Sequence, residues 1–419
     1  MKHLLKNITI LDATSKYHQK KVDMLIEKQH IIKIDKHISD DDAKIYDYDK
    51  HFISLGFCDL VTQICDPGFE QRDSIETIAK SAIAGGFTAI CAMPNNQPIT
   101  QHKTNIQYIL NKAQNTPIQI FPIAALTQNF DGKTPTEMLD LNQAGAIAFS
   151  DIPNHIKTND LLARALQYTQ QFGGLVMEMP FDKNLVADAC IHESEVSVRL
   201  GLKGIPNVAE YIAVYQAIEI LKYTGGNLHL TGISCKESIA LIQQAKLEKL
   251  SLTASCFVHH LVSTEDAISN YNSNFKVFPP LRTSSDKEAL VQAVKDGIID
   301  AIATQHTPLE SELKHVEFEY ASFGMLGLET AFGLLLQYTD IPIERIVDAL
   351  STQPRNIVKQ NNTIEENKLA DFVIFNATQT WIFEENGIQS LSKNTAYIGA
   401  KMKGKIKALY TKGNFILNG

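Results

Sequence analysis

A (β/α)8 barrel carrying a small β domain drawn from both chain ends is the fold that the sequence predicts, and three observations predict it. Through the middle of the chain, short apolar runs alternate with stretches of helical periodicity, the pattern of parallel strands joined by helical crossovers. Both ends instead carry short runs of alternating apolar and polar residues separated by polar turns, the texture of small antiparallel strands. No short repeat or low-complexity tract interrupts the chain, which weighs against a solenoid.

Taken in order, runs 4–10 and 21–26 open the chain, and runs 372–375, 380–383 and 406–410 close it with the same texture. Chain ends that lie together are common in domains. Residues 1–52 and 360–419 are therefore expected to form one composite β domain, around a barrel spanning 53–359. The apolar run 52–57 leads into the first barrel strand, and further strands are read at 87–92, 118–123, 146–149, 175–177, 228–230, 250–253 and 299–303. Helical periodicity falls between them at 74–84, 160–172, 208–223, 235–245 and 285–295.

The first strand carries the most information about function. At the C-terminal end of a barrel strand alternate residues face the mouth, where barrel proteins build their sites. Asp59, Val61, Gln63 and Cys65 share that phase before Pro67 and Gly68 break the chain into a loop. A hydrolytic metal site requires imidazoles or carboxylates at such positions. This strand offers a valine and an amide.

Composition narrows the classes further. A formal charge of −8 argues against a nucleic-acid partner, because phosphate binding needs a basic face. The chain shows neither a basic start followed by an apolar core nor a run approaching the roughly 18 apolar residues that span a bilayer. A cytoplasmic protein without membrane association is expected. The six cysteines are scattered without a CxxC pair and read as free thiols serving as small apolar residues, Cys65 beside the expected mouth included. The acidic run Asp40 to Asp42 and the basic stretch around Lys403 read as solvated turns.

Several phrases, taken together, resemble the dihydroorotases of the amidohydrolase superfamily. They are Asp66-Pro67-Gly68-Phe69-Glu70, Ala84-Gly85-Gly86-Phe87-Thr88, Met93-Pro94-Asn95, Phe149-Ser150-Asp151, Pro279-Pro280-Leu281-Arg282, Asp300-Ala301-Ile302-Ala303-Thr304 and Gly327-Leu328-Glu329-Thr330. Lys368-Leu369-Ala370-Asp371 and the stretch from Asn394 to Gly404 continue the match, which spans nearly the whole chain. The resemblance implies a TIM barrel of the metal-dependent hydrolase type with an appended β-sandwich, zinc in the mouth, and interconversion of carbamoyl aspartate and dihydroorotate. Such hydrolysis uses the metal to polarise a carbonyl and supply hydroxide, and a carboxylate to move the proton.

Laid on this chain, the resemblance puts the family's H-x-H pair and substrate-binding arginine on Val61, Gln63 and Cys65. The histidines of strands five and six fall on Met179 and Gly232, and the proton-shuttling aspartate of strand eight on Gln305. Phe278 and Leu309 stand where the family holds substrate with asparagine and histidine. Asp151 alone remains among the metal ligands, and Asn95 among the substrate contacts. A valine has no lone pair for a metal, and an amide cannot cycle as acid and base. The resemblance therefore implies a catalytically inactive pseudo-dihydroorotase with no catalytic residue and no bound metal. Its implied role is as a structural or regulatory partner of aspartate carbamoyltransferase, within a homodimer or hetero-oligomer.

Two alternatives stand beside this reading. One is a divergent cyclic amidohydrolase with a rearranged metal site at Asp151, Glu178 and His229, supplemented by His259 or His306. The other is a small-molecule binding module in which Phe278 and Leu309 shape the mouth for a pyrimidine intermediate. The histidines also have structural readings: His229 as a satisfied core residue, His259 and His260 as packing after strand seven, and His306 as pointing away from the mouth.

Overall fold

The computed structural model describes residues 2–156 and 158–418. Eight parallel strands follow one another around a barrel: Phe57–Thr62, Phe87–Ala92, Gln119–Ala124, Ala148–Phe149, Val176–Glu178, Leu228–Leu230, Leu252–Phe257 and Ala301–Ala303. Each pairs with its neighbour in sequence order. Where the first strand ends and just past the eighth, Thr62 bridges His306, and the Gln63 N–H donates to the His306 carbonyl at 2.9 Å.

Asp59 laces the same seam. Its carboxylate accepts from the Thr304 N–H at 2.6 Å, from the Thr304 hydroxyl at 3.0 Å and from the Thr62 hydroxyl. The alternation that was expected to aim Asp59 at the mouth instead places it in the barrel wall, fully buried, and burial raises its pKa to about 6.

The second domain is one hydrogen-bonded, largely antiparallel sheet drawing strands from both chain ends. Lys2–Ile10, Lys21–Glu27, His30–Asp35, Ala43–Asp47 and Phe52–Leu55 join Phe372–Ile382, Lys401–Thr411 and Asn414–Leu417. Phe52–Leu55 is the splice, pairing with Lys2–Ile10 on one side and Phe372–Ile382 on the other. The sheet curls, because His3 packs against Tyr410 and Phe415 at ring-centroid distances of 5.8 and 5.3 Å although two and three strands, respectively, separate theirs. Leu5, Met24, Ile53, Phe372 and Tyr410 meet in the core it encloses.

The apolar run 52–57 thus divides at Gly56, with four residues in the sheet and the next in the barrel. A Cβ on Gly56 would stand 2.0 Å from the Thr88 hydroxyl, so only glycine lets the chain pass. Arg355 seals this crossing, donating to the Gly56 carbonyl, the Thr88 hydroxyl and the Asp371 carboxylate at 2.8–3.2 Å.

The crossover helices lie close to their expected positions. Ile75–Gly85 is opened by a Ser74 cap and closed by Gly86 in the left-handed region. Features outside the sequence reading include the helices Lys103–Gln114, Ala331–Tyr338 and Ile343–Leu350, and an excursion after the fifth strand containing Ile191–His192, Glu195–Leu200 and Gly204–Ile205. Among the described residues no helix is long and apolar enough to cross a membrane.

Candidate functional site

The C-terminal ends of the strands hold an apolar plug and, over it, a cavity. Val61, Met93, Met179 and Phe257 are buried in one cluster with Ala301 and Ala303 inside the barrel. The cavity has a volume of about 660 Å3, within the range of small-molecule pockets. Val61, Gln63, Asn95, Met179, Phe278, Gln305 and Leu309 all line it. The mouth therefore gathers seven of the residues that the sequence places there.

Three others belong elsewhere. Cys65, expected in the pocket, sits behind it at φ +59°, its carbonyl accepting from the Phe69 N–H. Burial and then the neighbouring Asp73 push its thiol up, away from the reactive thiolate. Asp151 is turned out of the cavity to hold a loop. Its carboxylate accepts from the Leu126 and Thr127 N–H groups at 2.9 Å and from the Thr127 hydroxyl, while burial raises its pKa. Gly232 is walled off by the plug: at φ +74°, a Cβ would lie 2.9 Å from the Phe257 ring and 3.3 Å from Met179.

The alternative metal site does not assemble either. His229 spends both ring nitrogens on the Thr253 and Ser255 hydroxyls at 2.9 Å, and burial lowers its pKa to about 3. Glu178 borders a separate polar side cavity of about 100 Å3 near Asn159 and Gln216. Strand pleating accounts for this, because Glu178 and Met179 are consecutive and point oppositely. Burial raises Glu178 to about 8, and its Oε2 has no partner. His306, which borders the mouth cavity, accepts on Nδ1 from the Gly327 and Leu328 N–H groups at 3.2 and 3.4 Å. His260 donates from Nε2 to the Pro279 carbonyl at 2.9 Å, and burial depresses both His259 and His260. Among the described residues, no three His, Cys, Asp or Glu side chains converge as metal donors.

The sequence did not single out the residues that build the outer wall. Phe181 and Phe323 flank Phe278, with ring centroids at 4.6 and 5.7 Å. Lys314, buried and lowered by that burial to about 7, donates to the Ser322 and Gly324 carbonyls at 2.8 and 3.0 Å. Lys276 donates to the Phe318 and Glu319 carbonyls at 2.8 and 2.9 Å. Asn394, from the C-terminal segment, accepts from the Leu309 N–H at 3.0 Å and donates to the Thr307 carbonyl. These contacts brace the loop after strand eight, those of Lys276 and Asn394 across separations of 42 to 87 residues that no local pattern discloses.

Residues 51–238 match the family model described as dihydro-orotase-like. A dihydroorotase of Caldanaerobacter subterraneus subsp. tengcongensis is 37% identical over 418 residues, covering 99% of this chain and 96% of that protein. The chain belongs to the dihydroorotase-like family. A second relative, the dihydroorotase of a Thermoanaerobacter species, is 34% identical over the same shares of the two chains. The L-hydantoinase (dihydropyrimidinase) from Arthrobacter aurescens superposes with a TM-score of 0.88 at 20% identity, covering 100% of this chain and 96% of that one. This last likeness concerns the fold.

Zinc, which dihydroorotase resemblance implies for the mouth, does not fit the side chains of this dihydroorotase-like chain. The corresponding positions hold a valine, a thioether, two amides and a glycine with no room for a side chain. Zinc sites take imidazole, thiolate or carboxylate ligands. The retained carboxylate, Asp151, is already committed to the 126–127 loop.

Proposed function

We propose that this member of the dihydroorotase-like family no longer hydrolyses a cyclic amide and serves pyrimidine biosynthesis as a non-catalytic partner of an aspartate carbamoyltransferase. The observation that carries the reading is the plug: Val61, Met179 and Phe257 pack together where a hydrolase needs donors and water. Gln305, at the position of the proton-shuttling carboxylate, supplies no acid or base at neutral pH. A barrel surface can keep an assembly role after its mouth loses chemistry, because fold and site are separable.

The relatives' names favour a second reading, an active dihydroorotase, since 37% identity extends over 99% of this chain. Three measurements on the full chain separate the two. The non-catalytic reading expects zinc well below one ion per chain after chelator-free purification, and no turnover of dihydroorotate. It also expects a co-eluting complex with the carbamoyltransferase of the same organism that raises the transferase's thermal stability. Chelator-sensitive turnover would establish the second reading. Separate elution, with the transferase unchanged, would remove the partner role.

A further inference from the structure

We propose that the polar side cavity behind strand five binds one monovalent cation, potassium or ammonium, through the Glu178 carboxylate. The site lies on the outer side of the barrel wall, between the helices Asn159–Gln170 and Val208–Thr224. It therefore stands whether or not the mouth hydrolyses anything.

The sequence builds the walls. The pleat that turns Met179 into the mouth turns Glu178 outward, toward the helices. On the helix Val208–Thr224, Ala213 and Ala217 stand one turn apart and leave the room, and Gln216 adds a carboxamide beside them. Asn159, in the first turn of the other helix, and Asn184 add two more. These three carboxamides make no side-chain hydrogen bond among the described residues, so their carbonyl oxygens are available.

Glu178 supplies the charge. It is only 7% exposed, one oxygen accepts from the Ile156 N–H, and Oε2 has no partner. Among the described residues, the charge that bears on it is the Asp151 carboxylate, which has the same sign. Lys183 borders the cavity from an exposed position and forms no ion pair with Glu178. The start of the helix Asn159–Gln170 favours an ionised carboxyl but carries only part of a charge. A buried anion beside a second anion needs a cation to offset its lost hydration. Without one, burial keeps the carboxyl protonated.

The donors select the ion. They are oxygens throughout, one carboxylate among neutral carbonyls, and carbonyl oxygens replace the hydration shell of potassium readily. Calcium and magnesium sites use more carboxylate charge or stricter geometry. Ammonium is close to potassium in size and donates hydrogen bonds to the same oxygens. A volume of about 100 Å3 admits either ion with a few waters.

Thermal unfolding of the full chain in potassium, ammonium and choline chloride tests this, each salt at about 0.1 M so that screening is equal. Potassium, ammonium or both are expected to raise Tm over choline by about 1–3 °C and to saturate, as a ligand of the folded state does. The salt that acts names the ion. Glu178→Gln is expected to remove the difference. In crystals of the parent protein grown with thallous ion, a potassium mimic, an anomalous peak is expected at the Glu178 carboxylate, which reads the site even if the variant misfolds. Equal Tm in all three salts, an undiminished response in Glu178→Gln, or a cavity holding water only in the thallous crystals would each overturn the proposal. So would a response that appears only in Lys157→Gln, because the lysine next to Ile156 in sequence would then be the counter-charge.

Discussion

Arg282 and Asn95 stand at the same end of the barrel, and their surroundings are opposite. Arg282 spends its guanidinium on the Ser234 hydroxyl at 3.0 Å, His192 Nδ1 at 3.1 Å, the Ile205 carbonyl at 3.3 Å and the Glu210 carboxylate at 3.3 Å. Glu210 also accepts from the Ser234 and Cys235 N–H groups at 3.0 and 3.1 Å. Burial and then Arg282 hold His192 at about 4, neutral and able to accept that hydrogen bond. At the mouth, by contrast, apolar side chains fill the floor and the amides of Gln63 and Asn95 hold nothing in place. Polar groups that tie one loop to another are costly to lose because their partners stay buried. A side chain that ties no other part of the protein, by contrast, can change with little effect on folding.

The comparison is broken most directly at Arg282. Arg282→Met leaves the Glu210 carboxylate buried beside no cation, and losing one member of such a pair costs about 3–5 kcal/mol. Urea unfolding of the two proteins measures it; a loss below about 1 kcal/mol would mean that the cluster is no firmer than a surface ion pair. Gly232→His probes the other region by returning an imidazole to the mouth. The new Cβ meets Phe257 at 2.9 Å in a backbone held at φ +74°, so overpacking and left-handed strain together cost about 2–4 kcal/mol. A lowered Tm without zinc uptake is expected. Stoichiometric zinc in this variant would show that the plug yields easily.

How much of this was legible in the sequence differs between the two regions for physical reasons. The strands and crossover helices follow from periodicity, and residues such as Val61, Gln63 and Met179 fall in the cavity as strand phase requires. Phase failed at Asp59, because the carboxylate found the Thr304 N–H across the closing seam, and at Cys65, which lies beyond the strand where alternation no longer holds. Asp151 was expected in the pocket, but its partners, Leu126 and Thr127, lie about two dozen residues upstream. The Lys276 and Lys314 braces were invisible, since a lysine whose ammonium is satisfied by backbone carbonyls looks in sequence like any surface lysine. The splice at Phe52–Leu55 was hidden too: an apolar run does not tell which of two sheets it joins.

Glu178 sharpens the comparison with the smallest expected effect. It is a buried polar group belonging to neither region, having neither the partners of Arg282 nor the cavity of Asn95. Its carboxyl ionises near 4.5 when unfolded and is raised to about 8 in the fold by burial. The folded state therefore retains a proton that the unfolded chain releases, and stability falls as pH rises from about 4.5 to about 8, then levels off. Glu178→Gln removes that dependence while keeping the shape, so the variant should gain on the parent protein as pH rises from 5 to 8. Each tenfold difference in proton affinity corresponds to about 1.4 kcal/mol, and water entering the polar side cavity reduces the realised gain to about 1–2 kcal/mol. Denaturant unfolding at the two pH values measures it. If the two proteins lose stability in parallel, Glu178 is ionised in the fold, and its side cavity must then supply a counter-charge or water that stabilises the anion.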